Sequence, residues 1–158
     1  MWVFIRALTY ATLFVGVVLV FLPARVLSWA GITGFPRIGA WQVFGIILAG
    51  TGAAMALWCI LTLVLIGKGT PAPFDPPRRL VVRGPYRIVR NPMYVGAGLA
   101  LTGAALFYQS IPLLSYAGIF GLTMHVFVVT YEEPTLRRTF GNDYEVYCSR
   151  VGRWWPRL

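Results

Sequence analysis

The stretch that decides the fold is Leu80–Gly98, which reads LVVRGPYRIVRNPMYVGAG. Its three arginines are Arg83, Arg87 and Arg90. They lead into Asn91-Pro92, a helix-start signal, because Asn can cap a helix and Pro needs no N–H partner at the first helical position. A helix N-terminus flanked by arginines attracts anions, although arginines also simply hold one side of a membrane span. The stretch therefore predicts a cationic segment that leads into a helix at a membrane face.

The composition around this stretch is that of an integral membrane protein. The chain of 158 residues is 58% hydrophobic and 12% charged, whereas soluble domains are about half apolar and about a quarter charged. The net charge of +9 does not indicate nucleic acid. The basic residues cluster beside apolar runs, where anionic lipid and the positive-inside bias account for them. We therefore expect the lipid bilayer as a partner and no nucleic acid.

Four apolar runs predict four transmembrane helices. They are Val3–Leu22, Trp41–Ile66, Tyr94–Tyr108 and Ile111–Thr130. The first is expected to end at Pro23, and a signal peptide is an alternative for it. The third would be only about 22 Å long, against a hydrocarbon core of about 30 Å. Because Gln109-Ser110 separates it from the fourth, the last two runs are predicted to form a helical hairpin.

Small residues recur at helical spacing on two of these runs. The second run carries Gly45, Ala49, Gly52, Ala53 and Ala56, and the third carries Gly96, Ala100, Gly103 and Ala104. Such strips let helix backbones approach closely in lipid, where the hydrophobic effect does not drive helices together. We expect them to be helix-packing faces.

The distribution of basic residues predicts the orientation in the membrane. Of the 14 Lys and Arg residues, twelve lie at the N-terminus, in the loop Gly67–Met93 and in the tail from Tyr131, and only Arg25 and Arg37 lie between the first two runs. With four spans, the positive-inside rule places both termini, that loop and the tail in the cytoplasm. The arginine segment and the tail then meet at one membrane face.

The tail begins with two adjacent acids, Glu132 and Glu133, at the end of the last run. Pro134 can begin a helical turn and Gly141 can end one, so a short C-terminal helical segment is expected. A ligand that carries both a carboxylate and a cationic group would fit acids and arginines at one face. The simpler alternative is ion pairing between the two sets, since carboxylates beside an apolar span are costly without partners.

The Cys and His residues indicate neither a disulfide nor a metal site. Cys59 falls in an apolar run and Cys148 in the polar tail, so we expect no disulfide between them. His125 stands in an apolar run, and the chain has no His/Cys cluster with the spacing of metal ligands. We expect a helix-packing role for His125 and no metal.

Two motifs of the chain resemble those of the isoprenylcysteine carboxyl methyltransferase and phospholipid methyltransferase superfamily. They are GPYRIVRNPMYVG at residues 84–96 and EEPTLRRTFGNDYEVYCSRVGRW at residues 132–154. The resemblance covers about Leu80 to Arg157 and implies that residues 1–158 form one membrane-embedded methyltransferase domain that uses S-adenosylmethionine. It also implies a cytosolic cofactor pocket covered by the C-terminal segment, with a lipid-side entrance for an apolar acceptor. Asn91 and Arg78 stand where eukaryotic prenylcysteine enzymes have histidines, so the resemblance does not assign the acceptor.

The resemblance also implies which residues bind the cofactor. Carried over by position, they are Arg87, Arg90, Asn91, Tyr94, Gly96, Gly98, Glu132, Glu133, Tyr144, Tyr147 and Arg153. Arg87 or Arg90, with the helix end at Asn91, would hold the carboxylate of the cofactor. One of the paired acids would hold its ammonium group or ribose hydroxyls. The two glycines would allow close approach, and the tyrosines would wall the pocket. No general base is evident.

The function that the resemblance implies is methyl transfer to an apolar or amphiphilic acceptor, such as an isoprenylcysteine-like carboxylate, a thiol or a lipid. One alternative is an NADPH-dependent membrane reductase of the sterol-reductase type, which resembles this superfamily in fold. The other is a non-enzymatic membrane scaffold or transporter subunit, which predicts no cofactor binding. The sequence names neither the acceptor nor an oligomeric state.

Overall fold

The part of the chain described by this computed structural model, residues 9, 12–67 and 79–157, is all-helical. Its five helices are α1 (Thr12–Trp29), α2 (Ala40–Gly67), α3 (Pro92–Tyr108), α4 (Ile111–Phe140) and α5 (Asn142–Arg150), with a 3₁₀ turn at Gly84–Arg87. Three of them, α1, α2 and α4, are long and apolar enough to cross a membrane, and α3 is a shorter apolar helix. Within the described ranges there is no strand, only a single parallel bridge. The predicted all-α polytopic membrane fold is confirmed.

Helices α2 and α3 pack backbone to backbone through their glycines. A Cβ atom on Gly96 would lie 2.7 Å from the carbonyl oxygen of Gly52, and one on Gly45 would lie 2.7 Å from that of Gly103. Real Cβ atoms do not come this close to another backbone, so a side chain at these positions would push the helices apart. The two predicted small-residue strips are therefore the two faces of one helix–helix interface.

Helix α4 folds back on α3 through a tight turn, as the predicted hairpin requires. Gln109 ends α3 in the left-handed conformation with a φ of 49°, and Ser110 caps α4 by accepting a hydrogen bond from the Leu113 amide at 3.3 Å. Helix α1 then covers the hairpin, with Phe14 packed on Phe120. Buried Ala97, Leu101, Ala117 and Phe120 form the core between these helices.

The expected end of the first span at Pro23 is wrong, because α1 continues through this proline to Trp29. A π-helical turn, Val15–Phe21, precedes the proline. Its wide turn makes room for the pyrrolidine ring, which would clash with the carbonyl four residues earlier in a regular helix. The start of the first run, Val3–Ala11 apart from Thr9, lies outside the described residues. The signal-peptide alternative stays a prediction.

The helix that carries the fourth predicted span continues beyond Thr130, to Phe140. A second π-helical turn, Val128–Glu132, carries the helix past the acids, and Pro134 stands in the first turn of the α-helical stretch that follows. Gly141 ends this helix with a φ of 52°, as predicted. The two acids therefore lie inside a continuous helix and not at its end.

The alternating directions of the helices bring two polar segments to one end of the bundle. Phe35 and Tyr108 stack at the other end, 6.5 Å between ring centroids. The opposite end holds the C-terminus of α2, the N-terminus of α3 and the C-terminal half of α4. This follows from the contacts of Gly52 with Gly96 and of Tyr94 with Glu132. The residues from Arg79 to Asn91 and from Glu132 onwards meet there.

Candidate functional site

The C-terminal segment closes over the start of α3. We call residues Val151–Trp155 the strap. Its Gly152 pairs with Val89 in the parallel bridge and accepts a hydrogen bond from the Arg90 amide at 2.8 Å. Upstream of the strap, α5 buries Tyr144 and Tyr147, and the Tyr147 hydroxyl donates to the Tyr86 carbonyl at 2.6 Å. The backbone of the first motif therefore holds the second motif in place.

Burial shapes the chemistry of the α5 tyrosines. Desolvation raises the pKa of both the Tyr144 and the Tyr147 phenol above its ordinary value. Both side chains therefore stay neutral hydroxyl groups. They form a buried cluster with Val151, the first residue of the strap.

Glu133 is a buried carboxylate that two arginines neutralise. Its side chain is bound by Arg153, whose Nε and Nη2 donate at 2.6 and 2.8 Å, and it pairs with Arg90 Nη1 at 3.1 Å. Only 3% of the residue is exposed. This carboxylate also raises the pKa of the Arg153 guanidinium. Because both of its oxygens are already bound, Glu133 ties the strap and the first motif to α4.

Glu132 has different surroundings, although it is the next residue. It accepts one hydrogen bond, from the Tyr94 hydroxyl at 3.0 Å, and makes no ion pair with any residue that the structure describes. The two oxygens of a carboxyl group offer more acceptor sites than this one hydrogen bond uses. Glu132 therefore keeps acceptor capacity that Glu133 has lost.

Glu132 and Glu133 reach different partners because neighbouring residues of a helix point about 100° apart. The π-helical turn Val128–Glu132 sets the direction of the pair. A π turn holds one residue more than an α turn, so the residues after it are turned by about 100° relative to an uninterrupted α-helix of the same sequence. In this arrangement Glu132 faces Tyr94 on α3, while Glu133 faces the strap. Turns of this kind recur at functional sites.

The three predicted site residues that precede α3 have different contacts. Arg90 contacts the Cys148 sulfur and Glu133 through Nη1, while its buried Nε has no hydrogen-bond partner among the described residues. Arg87 is exposed and forms no ion pair within the same ranges. Asn91 occupies the N-cap position but does not cap, because its Nδ2 donates to the Arg153 carbonyl in the strap at 3.3 Å. The predicted cap at Asn91 is therefore wrong.

The two glycines of the first motif face different neighbours. Gly96 is buried against α2, where a Cβ would lie 2.9 Å from the Ala56 amide nitrogen. Its lack of a side chain serves the approach of a helix. Gly98 has no atom within 4 Å of the Cβ position and lines a pocket. Of the two, Gly98 is the glycine that leaves space for a ligand.

This pocket lies between α3, α4 and the strap and has a volume of about 360 Å³. Its lining residues are Tyr94, Val95, Gly98, Phe120, Gly121, Met124, His125, Trp154 and Trp155. The volume falls in the range of about 300–1,000 Å³ that is typical of small-molecule sites. The lining is apolar except at the Tyr94 and His125 ends. Tyr94 joins the pocket to the polar cluster, since its hydroxyl binds Glu132.

The residues of α4 that line the pocket were not predicted from the sequence. Gly121 and His125 are spaced i, i+4, which places a small and a polar residue on one side of an otherwise apolar helix. This spacing is the signal that would have marked that side of α4 as a pocket wall.

The fold and this site define an integral membrane protein of the helical-bundle class, with a buried polar cluster and an apolar pocket at one end of the bundle. The family model for phospholipid methyltransferase matches residues 40–143. The chain belongs to that family. The match runs from the start of α2 into α5, so it includes the acids and the head of α3.

Two relatives are similar to the chain over most of its length. One is the nickel-cobalt-cadmium resistance protein NccN of Alcaligenes xylosoxydans xylosoxydans, 28% identical over 73% of this chain and 48% of its own. Another is the cobalt-zinc-cadmium resistance protein CzcN of Cupriavidus metallidurans, 27% identical over 82% of this chain and 54% of its own. The chain thus spans about half the length of these curated relatives. Among its described residues no group of three or more His, Cys, Asp or Glu side chains could hold a metal ion.

Proposed function

We propose that the protein transfers a methyl group from S-adenosylmethionine to an apolar or amphiphilic acceptor, such as an isoprenylcysteine-like carboxylate, a thiol or a lipid. Membership of a family of membrane methyltransferases supports the reaction class. The observation that carries the proposal is the position of Glu132. Its carboxylate keeps acceptor capacity at the polar end of an apolar pocket, to which Tyr94 connects it.

The carboxylate and the arginines at the site match the charges of a cofactor that carries an ammonium group and a carboxylate. Glu132 would accept from its ammonium group or ribose hydroxyls. The buried Nε–H of Arg90 has no partner among the described residues and would donate to its carboxylate, as would the exposed Arg87. Unpaired buried donors are rare in folded proteins, which favours a ligand at this position.

Six of the remaining predicted site residues would line the pocket or position the strap. Gly98 and Tyr94 would line the space for the ligand, because both already line the pocket. Tyr144, Tyr147, Glu133 and Arg153 would position the strap through their own contacts. When bound, S-adenosylmethionine supplies an electrophilic methyl group, so a carboxylate or thiolate acceptor needs no strong base.

The acceptor would enter from the bilayer, since the pocket is apolar and lies between two membrane helices. The cofactor would arrive from the cytoplasm. This orientation is supported by the basic residues Arg79, Arg83 and Arg87, which are exposed at the same end of the bundle as the site.

The test uses the purified full-length protein in lipid nanodiscs. Calorimetric titration should detect binding of S-adenosylhomocysteine, and incubation with membrane extract and labelled S-adenosylmethionine should place label in a lipid-soluble product. NADPH should not compete with S-adenosylhomocysteine. Binding of NADPH with no binding of S-adenosylhomocysteine would instead support the reductase alternative, and binding of neither would support a scaffold.

A second candidate is that the methyl transfer serves metal resistance, because both relatives above carry that description in their names. In a host that lacks its own copy of the gene, the wild-type protein should restore growth in cobalt or cadmium, and Glu132→Gln should not. Equal growth with and without the protein would remove this candidate and leave the methyl transfer untouched.

A further inference from the structure

His125 is a polar side chain that the proposed reaction does not use. It lies in α4, is exposed on the surface of the bundle, and lines the pocket. A polar ring on an apolar membrane helix is costly unless it has a partner. Its partner is Trp154 of the strap, whose Nε1–H donates to His125 Nδ1 at 3.0 Å, with 6.1 Å between the ring centroids.

The strap fixes Trp154 from the other side. Gly152 precedes it in a turn so tight that a Cβ atom on Gly152 would collide with the Trp155 carbonyl oxygen. Arg153, between them, is clamped on Glu133. The next residue, Trp155, is 81% exposed, and Arg157 donates to the Cys148 and Ser149 carbonyls at 2.9 Å. Trp154 therefore lies in a backbone that is held on both sides.

We propose that Trp154, latched by His125, is the movable wall of the pocket and sets the size of the apolar group that the pocket admits. The inference rests on the proposed function only in naming that group as part of the methyl acceptor. The hydrogen bond fixes the indole across the outer edge of the pocket, between α4 and the strap. Without it, the indole can swing away and leave the pocket open to wider molecules.

The test measures access to the pocket and does not depend on methyl transfer. A Cβ atom at Gly98 would have no atom within 4 Å, so we expect Gly98→Cys to place a thiol at the pocket without displacing the backbone. The probes are N-ethylmaleimide and the bulkier N-(1-pyrenyl)maleimide, used on the full chain in nanodiscs. The measured quantity is the rate constant of the pyrenyl probe divided by that of N-ethylmaleimide. A change in the reactivity of the thiol itself cancels in this ratio. The chain without Gly98→Cys gives the background from Cys59 and Cys148.

In the Gly98→Cys protein we expect the pyrenyl probe to be strongly disfavoured. Trp154→Ala should raise the ratio most. His125→Ala and Trp154→Phe each remove the hydrogen bond and should raise it about 2- to 10-fold, the effect of one net hydrogen bond. His125→Asn keeps an acceptor at the position of Nδ1 and should return the ratio to its starting value. Trp41→Ala, which removes an exposed indole at the other end of the bundle, is the matched control.

An unchanged ratio in Trp154→Ala, in protein that retains its helical circular dichroism, would overturn the proposal. An unchanged ratio in His125→Ala beside a raised one in Trp154→Ala would overturn the latch. Titration of S-adenosylhomocysteine into the wild-type protein reports on the proposed function separately, because its failure leaves the labelling ratio measurable.

Discussion

Glu132 and Glu133 show at the scale of single residues how neighbours with the same side chain come to do different work. Glu133 is bound by Arg90 and Arg153, whereas Glu132 accepts a hydrogen bond only from the Tyr94 hydroxyl among the residues that the structure describes. A buried ion pair that loses one partner leaves an uncompensated charge. A carboxylate that still has free lone pairs can instead bind a ligand. Stability and affinity should therefore separate between the two positions.

The first prediction concerns this separation. Glu132→Gln should weaken binding of S-adenosylhomocysteine about 10- to 150-fold, since a charge-assisted contact is worth about 1.5–3 kcal/mol. Glu133→Gln should instead lower the melting temperature in detergent, because breaking a buried pair costs about 3–5 kcal/mol. Calorimetric titration and melting curves measure the two effects.

The matched control for this prediction is Glu145→Gln. Glu145 pairs with Arg137 at 2.9 Å, but 55% of its side chain is exposed, and exposed pairs contribute about 0–1 kcal/mol. It should leave both measurements close to wild type. Wild-type affinity in Glu132→Gln would remove this residue from the site, and a wild-type melting curve in Glu133→Gln would contradict its structural role.

At this scale the sequence predicted the set of residues better than their roles. It placed Arg90, Asn91, Glu133 and Arg153 in one region, and the structure brings them into contact. The sequence did not indicate which of the two acids forms ion pairs with the arginines, because Glu132 and Glu133 differ only in the direction that their side chains face. That direction depends on the π-helical turn before them, which has no residue signature in VVTYE.

At the scale of elements, α2 and α3 meet backbone to backbone. There is no space for a Cβ atom at Gly45, Gly52, Gly96 or Gly103. In lipid such an interface depends on van der Waals packing, so extra volume cannot be absorbed by moving apolar groups elsewhere.

The second prediction follows from this interface. Gly103→Val should destabilise the protein by at least about 1–3 kcal/mol, because the new side chain meets the backbone of α2 at Ala49 and Gly45. Gly50→Val is the control, since no atom lies within 4 Å of the Cβ position at Gly50. Melting curves in detergent should show a lower midpoint for the first variant only. Equal midpoints for both variants would mean that the helices are not held this closely.

The elements themselves were largely predictable from the sequence. Apolar runs and small-residue spacing gave the hairpin and the α2–α3 interface. The end at Pro23 was wrong and α4 continues beyond Thr130, because a proline or a polar residue inside a membrane helix is tolerated when a wide turn or a neighbouring helix satisfies the backbone. The pocket could not be predicted from the sequence, because its lining residues come from α3, α4 and the strap, which are separated in the chain.

At the scale of the whole molecule, the third prediction concerns orientation. Single cysteines replacing Arg83 and Ser149, both exposed near the site, should react with a membrane-impermeant maleimide from the cytoplasmic side only. A cysteine replacing Thr33, in the loop at the other end of the bundle, should react from the opposite side only. Inverted and right-side-out vesicles give the two sides. Labelling of Arg83→Cys and Thr33→Cys from one side would contradict the four-span topology.

The π-helical turn Val128–Glu132 also contains one residue more than an α-helical turn needs. Deleting Val129 should therefore convert it into an α turn, with both acids still facing their present partners. Deleting Leu122, in the regular part of the helix, should rotate both acids by about 100° away from Tyr94 and the strap. The Val129 deletion should therefore keep most of the affinity for S-adenosylhomocysteine, and the Leu122 deletion should abolish it. We thus expect α4 to tolerate the loss of a residue in the turn next to the two acids but not in its regular part.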